Sequence, residues 1–413
     1  MSRSQIFFSK VSAASWLVCL SLGVALLAGS ASALFLFSLD WATRTREAHR
    51  WLIGGLPLVG FAVGWLYLKW GQSVDRGNNL LIDEIHDPRQ VVPLRMAPLI
   101  LGSTVASHLV GASVGREGTA VQMGGALADQ LTHYFKLSVA QRRVVLMTGI
   151  AAGFASVFGT PLAGAVFALE VLAGPALRQM RWAALWPCGV AAVAADQVGL
   201  WWGVQHTHYP VDSVPAFSAW SVCAVVLAGG LMGLTGRLFA HSTHAFSAWV
   251  KQRIPYAPLR PFIGGALIAA AVGWWQADRY LGLGIPVIVE AFSQPLAPWD
   301  FAAKLALTVA SLGVGFKGGE VTPLFYIGAT LGNALAPLLQ MPIGLMAAVG
   351  FVAVFAGAAN TPLACSVMAL ELFGLEVGAF AALACAVSYV FSGRATIYTA
   401  QRLRPAKAPR PRT

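Results

Sequence analysis

Two carboxylates stand in glycine-rich breaks of an otherwise apolar sequence. Glu117 lies within GASVGREGTAVQMGGAL, residues 111–127, and Glu320 lies within GEVTPLFYIGATL, residues 319–331. The two segments align with matching glycines at an offset of 204 residues. A carboxylate in such a break can occupy the position of an anion, and it can also carry a proton. The two breaks therefore predict chemistry with small anions and protons.

The glycines around these carboxylates favour an anion as the ligand. A half-helix that begins inside a membrane exposes up to four backbone N–H groups and the positive end of its dipole, and lipid offers them no acceptor. Glycine lets such groups approach a small ion closely. A structural ion pair between Arg116 and Glu117 is the alternative, but adjacent residues at a helix start are expected to face each other poorly. The glycines concerned are Gly111, Gly115, Gly118, Gly315, Gly318 and Gly319.

The elements that carry these breaks must lie in a membrane. Of the 413 residues, 57% are hydrophobic and 11% are charged, and the mean hydropathy is +0.67. A soluble domain of this composition would lack polar residues to cover its surface. Several apolar windows reach the roughly 20 residues that span a bilayer, whereas windows 94–111 and 118–131 are short and interrupted by glycine. The remaining windows are 13–39, 51–70, 144–172, 183–202, 216–238, 262–275 and 344–375.

A second repeated segment follows each break. TPLAGAVFALE at 160–170 and TPLACSVMALE at 361–371 are identical at eight of eleven positions, at an offset of 201 residues. Short, broken segments in matching places of two halves indicate discontinuous helices that meet near the membrane midplane. Glu170 and Glu371 end the two copies, and their symmetric placement favours anchoring of helix ends over a role in transport.

These patterns predict a single transmembrane domain, residues 1–413. Its two repeats span about 51–203 and 217–392, and a basic tail occupies 404–413. No connection is long enough for a soluble domain, and the first apolar run is interpreted as a membrane helix and not as a signal peptide.

The other polar features favour structural roles. The net charge of +11 is spread over connections and tails, which indicates membrane orientation and headgroup contact, with no nucleic acid as partner. The five cysteines lack ligand spacing, and a solvated loop is favoured over a metal site for His206, His208 and Asp212. We predict no metal, nucleotide or prosthetic group. Basic residues near both ends favour a cytoplasmic location for both termini.

The motifs resemble those of the CLC family of chloride channels and chloride/proton exchangers. GASVGREGTAVQ is similar to the family's GxSxGREGP signature, GGEVTP at 318–323 falls at its GxFxP motif, and GNNLL at 77–81 corresponds to its GSGIP motif. Tyr398 matches the tyrosine at the family's central anion site. The resemblance covers nearly the whole chain. It implies an all-α polytopic membrane protein of two inverted-topology repeats whose half-helices meet at the midplane, and it implies a homodimer.

The departures from the family's motifs resemble its bacterial fluoride/proton antiporters. Asn78 stands where chloride-selective members have serine, Thr119 stands where most members have proline, and Glu320 lies in a usually apolar motif. Val171 occupies the position of the family's inner proton glutamate, so the usual proton route is missing. Fluoride is smaller and more strongly hydrated than chloride, so a selective site needs close hydrogen-bond donors.

The resemblance and the residue chemistry together give a set of candidate site residues. On residue chemistry alone, Asn78 could cap a helix, Thr322 could form a turn, and Tyr398 could pack at an interface. The gating and proton-coupling candidates are Glu117 and Glu320. The anion-binding candidates are Asn78, Gly115, Arg116, Gly118, Thr119, Val321, Thr322 and Tyr398.

The sequence favours a fluoride/proton antiporter that exports cytoplasmic fluoride through a bacterial inner membrane, driven by the proton gradient. Fluoride, protons and the lipid bilayer are then its partners. A chloride/proton exchanger or a passive anion channel of the same fold is the alternative. An intramembrane enzyme with Glu117 and Glu320 as paired acids is disfavoured, because nothing supplies its nucleophile or metal.

Overall fold

The computed structural model describes residues 3–172 and 178–402, and this part of the chain is almost entirely α-helical. Within it there is no β-strand, and an isolated β-bridge joins Gly115 to Gly319. The predicted all-α class is confirmed. The predicted basic tail at 404–413 lies outside the described residues.

Eight helices precede the 202–218 connection and seven follow it in the described part of the chain. Short 3₁₀ segments lie at Arg50–Gly55 and Asp278–Tyr280, and a π-helical turn lies at Tyr67–Gly71. The first group is α1 Arg3–Ala48, α2 Leu56–Leu66, α3 Asn78–His86, α4 Met96–Leu109, α5 Glu117–Tyr134, α6 Val139–Phe158, α7 Pro161–Glu170 and α8 Arg178–Trp201. The second group is α9 Ala219–Arg253, α10 Leu259–Trp275, α11 Ile285–Ser293, α12 Asp300–Val314, α13 Val321–Leu335, α14 Ile343–Ala359 and α15 Pro362–Phe391.

Several of these helices are long and apolar enough to cross a membrane. Shorter apolar helices pack against them, namely Met96–Leu109, Pro161–Glu170, Leu259–Trp275 and Ile343–Ala359. The predicted polytopic class is therefore confirmed. The candidate spans are Ser15–Ala48, Arg50–Gly71, Trp182–Trp201, Ala219–Arg253 and Pro362–Phe391.

Two predicted apolar windows, 144–172 and 344–375, are each divided between two helices. The C-cap of α6 is Gly159 with φ 73°, and the C-cap of α14 is Asn360 with φ 55°. A left-handed residue ends an α-helix, and the proline that begins the next helix is compatible only with a first turn. The hydrophobic pattern runs through both breaks because all four helices are apolar.

Glycine does not interrupt α5, in contrast to the prediction for window 118–131. Gly124 lies against Gly149 of α6. A Cβ added at Gly149 would stand 2.6 Å from the Gly124 carbonyl oxygen. Gly328 of α13 and Gly350 of α14 make the equivalent contact in the second half. Small residues let membrane helices approach closely, so these glycines serve helix packing instead of breaking a helix.

The two glycine-rich breaks enter the molecule from opposite faces. After α4, an added Cβ at Gly111 would lie 3.5 Å from Arg46 Cδ, near the end of α1, and we call this side the Arg46 face. After α12, Lys317 contacts Asp75 and lies over the ring of Tyr67, and we call this side the Lys317 face. The candidate span Arg50–Gly71 separates the Arg46 and Lys317 faces, and this opposite approach is the inverted topology that the family resemblance implied.

Glu170 and Glu371 each cap a helix of the other repeat. The Glu371 carboxylate accepts the N–H groups of Leu162 and Ala163, both at 2.8 Å, at the start of α7. The Glu170 carboxylate accepts N–H groups in the first turn of α15, at 3.2 and 2.7 Å. Carboxylates at helix N-termini satisfy unpaired donors and favour the dipole. The prediction that these residues anchor helix ends is confirmed.

Replacing Glu371 by alanine is expected to destabilise the protein by about 1–3 kcal/mol, because two N–H groups at the start of α7 lose their acceptor. Thermal unfolding in detergent measures the change. Glu376→Ala is the matched control, since Glu376 is an exposed acid five residues further along the chain, beyond the kink of α15 at Gly374. Equal melting temperatures for the two variants would contradict the capping role.

Candidate functional site

The two breaks meet through a pair of backbone hydrogen bonds. Gly115 N–H donates to the Gly319 carbonyl at 2.6 Å, and Gly319 N–H donates to the Gly115 carbonyl at 2.7 Å. An added Cβ at Gly319 would lie 2.8 Å from the backbone nitrogen of Gly118, and one at Gly115 would lie 2.8 Å from Pro323 Cδ. Only glycine allows this approach, which brings the N-termini of α5 and α13 together.

Glu117 reaches from one repeat to the half-helix of the other. It is the first residue of α5, and its side chain is fully buried. Its Oε2 accepts the backbone N–H of Thr322 at 3.0 Å and the Thr322 hydroxyl at 2.6 Å, in the first turn of α13. The carboxylate therefore lies where the unpaired N–H groups and the dipole of α13 favour a negative charge.

Arg116 pairs with Glu117, and the expectation that these neighbours would face each other poorly is wrong. Arg116 Nε lies 3.4 Å from Glu117 Oε1, and the arginine side chain is 15% exposed. Arg116 is the N-cap of α5, with φ −117° and ψ −33°, so the spacing rule for residues within a helix does not apply to it. The two carboxylate oxygens have different partners, so the ion pair and the contact with α13 coexist.

Gly118, Asn78 and Val321 also lie at the meeting point of the half-helices. An added Cβ at Gly118 would stand 3.1 Å from both Asn78 Nδ2 and the Cα of Gly319. Asn78 begins α3, and its Oδ1 has no hydrogen-bond partner in the described part of the chain. Val321 is buried at the first position of α13. The structure thus places the Asn78 amide against the start of α5.

Thr119 lies apart from the other candidates. Its hydroxyl is hydrogen-bonded to the hydroxyl of Thr104 in α4 at 2.8 Å, and both side chains are fully buried. The geometry therefore gives Thr119 a partner on α4, while Thr322 provides the hydroxyl next to Glu117.

Glu320 and Tyr398 complete the group. Glu320 is the N-cap of α13, and its carboxylate has no hydrogen-bond or ion-pair partner among the described residues. Tyr398 is buried, and its ring packs edge-on against Phe167 at a centroid distance of 6.2 Å. The carboxyls of Glu320 and Glu117 both lie near enough to the Tyr398 phenol to interact with it electrostatically. Two acids and a phenol therefore share one buried region.

The sequence analysis missed the residues that hold this group in place. Asn79 Oδ1 accepts the N–H of Ala400 at 2.9 Å, which ties the Tyr398 segment to α3. The hydroxyl of Ser113 is hydrogen-bonded to that of Thr308 at 2.9 Å, and its N–H donates to Ser311 Oγ at 3.1 Å. Thr308 and Ser311 follow Thr104 and Ser107 by the same 204 residues that separate the two breaks. The repeat offset could therefore have identified Thr308 and Ser311 from the sequence.

A cavity of about 830 Å³ opens at the Arg46 face and extends to Arg116. Five arginines and three carboxylates line it, so its wall carries net positive charge. A positively charged cleft raises the local concentration of anions. The cavity therefore connects this face with Arg116, the residue before Glu117. Its charged residues are Arg44, Arg46, Arg50, Arg116, Arg279, Asp40, Glu47 and Asp278.

His206, His208 and Asp212, which follow α8, do not form a cluster. His206 Nε2 lies 3.4 Å from Asp196 Oδ1 of α8, and no contact joins His206 to His208 or Asp212. Within residues 3–172 and 178–402, no group of three or more histidines, cysteines and acids has the geometry to hold a metal ion.

Comparisons with known proteins agree with this geometry. Residues 59–393 match the family model for the voltage gated chloride channel. The chain is 64% identical over 404 residues to a chloride/fluoride channel protein of Pseudomonas syringae pv. tomato, which covers 96% of this chain and 88% of that protein. It is 30% identical over 358 residues to a putative ClcB-like chloride channel protein of Ralstonia nicotianae, with 81% of each chain covered.

A solved structure described as a CLC-type fluoride/proton antiporter is also similar. It superposes with a TM-score of 0.90 at 34% sequence identity, and the match covers 94% of this chain and 98% of that one. A slow cyanobacterial Cl⁻/H⁺ antiporter superposes with a TM-score of 0.81 at 20% identity, which shows likeness of fold.

Replacing Gly115 by alanine is expected to force the two breaks apart, since the added Cβ would also lie 3.0 Å from the Gly319 carbonyl oxygen. We expect a loss of about 1–3 kcal/mol in stability and faster hydrogen exchange at the amides of residues 115 and 319. Gly102→Ala is the control, because nothing lies within 4 Å of its added Cβ. Unchanged exchange at both amides in Gly115→Ala would refute the bridge.

Proposed function

We propose that this chain, which belongs to the voltage-gated chloride channel (CLC) family, is an antiporter that exports fluoride in exchange for protons. The family match over residues 59–393 confirms the resemblance found in the motifs. The observation that carries the proposal is the contact of the Glu117 carboxylate with the N–H and hydroxyl of Thr322. A negatively charged side-chain oxygen there occupies the position that a small anion would take.

Competition at this position couples fluoride to the proton. As a carboxylate, Glu117 accepts two hydrogen bonds from Thr322. Protonation removes the charge that the α13 N-terminus stabilises, so the side chain is displaced more easily and fluoride replaces it on the same donors. Departure of fluoride lets Glu117 release its proton and return. An alternation of this kind exchanges the two ions in opposite directions.

Fluoride is favoured over chloride by the donors around the position. Thr322 offers a hydroxyl and an N–H, Asn78 Nδ2 lies against the start of α5, and the Tyr398 phenol is buried in the same region. A small, strongly hydrated anion needs such close donors in place of its water shell. The relative of 64% identity is named a chloride/fluoride channel protein, and the similar structure of 34% identity is described as a fluoride/proton antiporter. A chloride/proton exchanger and a passive channel are the other outcomes of the test below.

Glu320 is the second acid of the proposed mechanism. Val171 is buried where the family's inner glutamate is expected, so protons need another carrier. Glu320 is free of hydrogen bonds and ion pairs among the described residues, and it interacts with the Tyr398 phenol, which Glu117 also approaches. A carboxyl group in this position relays protons between Glu117 and the Lys317 face.

The Lys317 face is proposed to lie in the cytoplasm. Its connections are joined by contacts such as Arg95 with Ser73, Arg142 with the Gln90 carbonyl, and Asp75 with Lys317. These connections hold more basic residues than the Arg46 face, and basic connections remain on the cytoplasmic side. On this view both termini are cytoplasmic in a bacterial inner membrane. The basic residues of this face include Lys69, Arg76, Arg89, Arg95, Lys136, Arg142, Lys251, Arg253 and Arg260.

Two further parts of the proposal rest on the family resemblance. The protein is a homodimer with a separate pathway in each subunit. The repeats that build each pathway span about residues 51–203 and 217–392, and the glycine contact of Gly124 with Gly149, repeated by Gly328 with Gly350, supports this division.

Proteoliposomes loaded with fluoride or chloride test the function when proton movement is recorded in parallel. For the wild type we expect fluoride efflux with opposed proton uptake and little chloride flux. Glu117→Gln should reduce proton uptake to background, because the amide keeps an acceptor for Thr322 but cannot carry a proton. Chloride flux equal to that of fluoride would indicate a general anion transporter, and fluoride flux with no proton signal in the wild type would indicate a channel.

Glu320→Gln tests the second acid. We expect proton-coupled fluoride efflux to fall by about tenfold or more, as for loss of a group that transfers protons. Glu290→Gln is the control, since Glu290 is a half-exposed acid on α11, at the Arg46 face. Full proton coupling in Glu320→Gln would remove Glu320 from the mechanism.

A further inference from the structure

An ion pair at the Lys317 face joins the two repeats. Lys317 Nζ lies 2.5 Å from Asp75 Oδ1, and the same ammonium group lies 4.1 Å from the centroid of the Tyr67 ring. The lysine side chain is 20% exposed and the aspartate side chain is 55% exposed. The proposed mechanism gives this pair no role.

Both partners stand within a few residues of a helix start at the candidate site. Asp75 lies two residues before Gly77, the N-cap of α3, and Lys317 lies three residues before Glu320, the N-cap of α13. The connecting residues are few, and on the α3 side they include Gly77 with φ 54°. A bond between Asp75 and Lys317 therefore fixes the separation of two N-termini that belong to different repeats.

The Asn78 side chain depends on this backbone constraint for its position. Its Oδ1 has no partner among the described residues, and Nδ2 stands against Gly118. Thr322 is held differently, because its donors are bound to Glu117. When fluoride displaces Glu117, the distance between the Asn78 amide and the Thr322 donors is set by the segments that carry them.

We propose that Lys317 is a positioning residue for fluoride selectivity, since its bond to Asp75 holds the Asn78 amide and the Thr322 donors at the separation a small anion needs. This inference rests on the proposed function. Discrimination between anions depends on how closely the donors can surround the ion. If the N-termini of α3 and α13 were less firmly held, the site would bind chloride as well as before. It would lose contacts to fluoride, which is smaller. Tyr67 supports the ammonium group by a cation–π contact, which keeps the lysine in place.

The test measures the ratio of fluoride to chloride flux in proteoliposomes for Lys317→Met, Lys317→Arg and Asp75→Ala. Methionine keeps the length of the side chain but lacks the charge, whereas arginine retains the ion pair. We expect Lys317→Met to lower the ratio by about tenfold, through a lower kcat/KM for fluoride, which corresponds to about 1.4 kcal/mol of lost discrimination. Lys317→Arg should keep most of the wild-type ratio of fluoride to chloride flux.

The double variant Lys317→Met/Asp75→Ala separates the ion pair from unrelated effects. Because both changes break the same bond, the double variant should have the flux ratio of either single variant, not the product of their effects. Arg76 and Asp83 form a matched control pair, since their ion pair lies next to this one but joins residues of a single segment. Asp83→Asn should leave the flux ratio unchanged.

Several results would overturn the inference. One is an unchanged flux ratio in folded Lys317→Met, another is an equal loss of fluoride and chloride flux, and a third is additive effects in the double variant. If Lys317→Met does not fold, Asp75→Ala decides by the same criteria. A wild type that does not select fluoride would instead contradict the proposed function, so the two failures are distinguishable.

Discussion

The N-terminus of a half-helix in a membrane needs an acceptor, and this need organises the whole molecule. Lipid cannot accept hydrogen bonds from the first N–H groups of a helix. At the start of α13 the acceptor is Glu117, at the start of α7 it is Glu371, and at the start of α15 it is Glu170. In all three cases the carboxylate comes from the other repeat, so the acceptors also hold the two repeats together.

The three carboxylates differ in the groups that they accept and in the residues around them. Glu170 and Glu371 each accept two backbone N–H groups at a helix start. Glu117 accepts one N–H and one hydroxyl, next to glycines that leave the backbone open and next to an acid without partners. The same interaction therefore anchors helix ends at two helix starts, and in the proposed mechanism fluoride replaces it at the third.

Lys304 shows that a buried charge in this protein does not by itself mark a transport site. It is fully buried in α12, where Nζ donates to the carbonyl oxygens of Tyr280 and Gly282 at 2.9 and 2.7 Å. Its ammonium group also lies 5.0 Å from the centroid of the Tyr326 ring. These contacts join the connection before α11 to α12 and α13, and they occupy the donors of the lysine.

The sequence by itself determined the membrane class, the two related halves and the residues that meet at the breaks. Composition excludes a soluble fold, and the 204-residue offset pairs Gly115 with Gly319, which the structure joins directly. The motifs were sufficient for the family. Only the tertiary structure decided the partners of each side chain. Contacts such as Glu117 with Thr322 and Lys317 with Asp75 link residues over 200 positions apart, and hydrophobic periodicity carries no information about them. Hydrophobic periodicity also did not reveal the helix ends at Gly159 and Asn360, because the helices on both sides of each end are apolar.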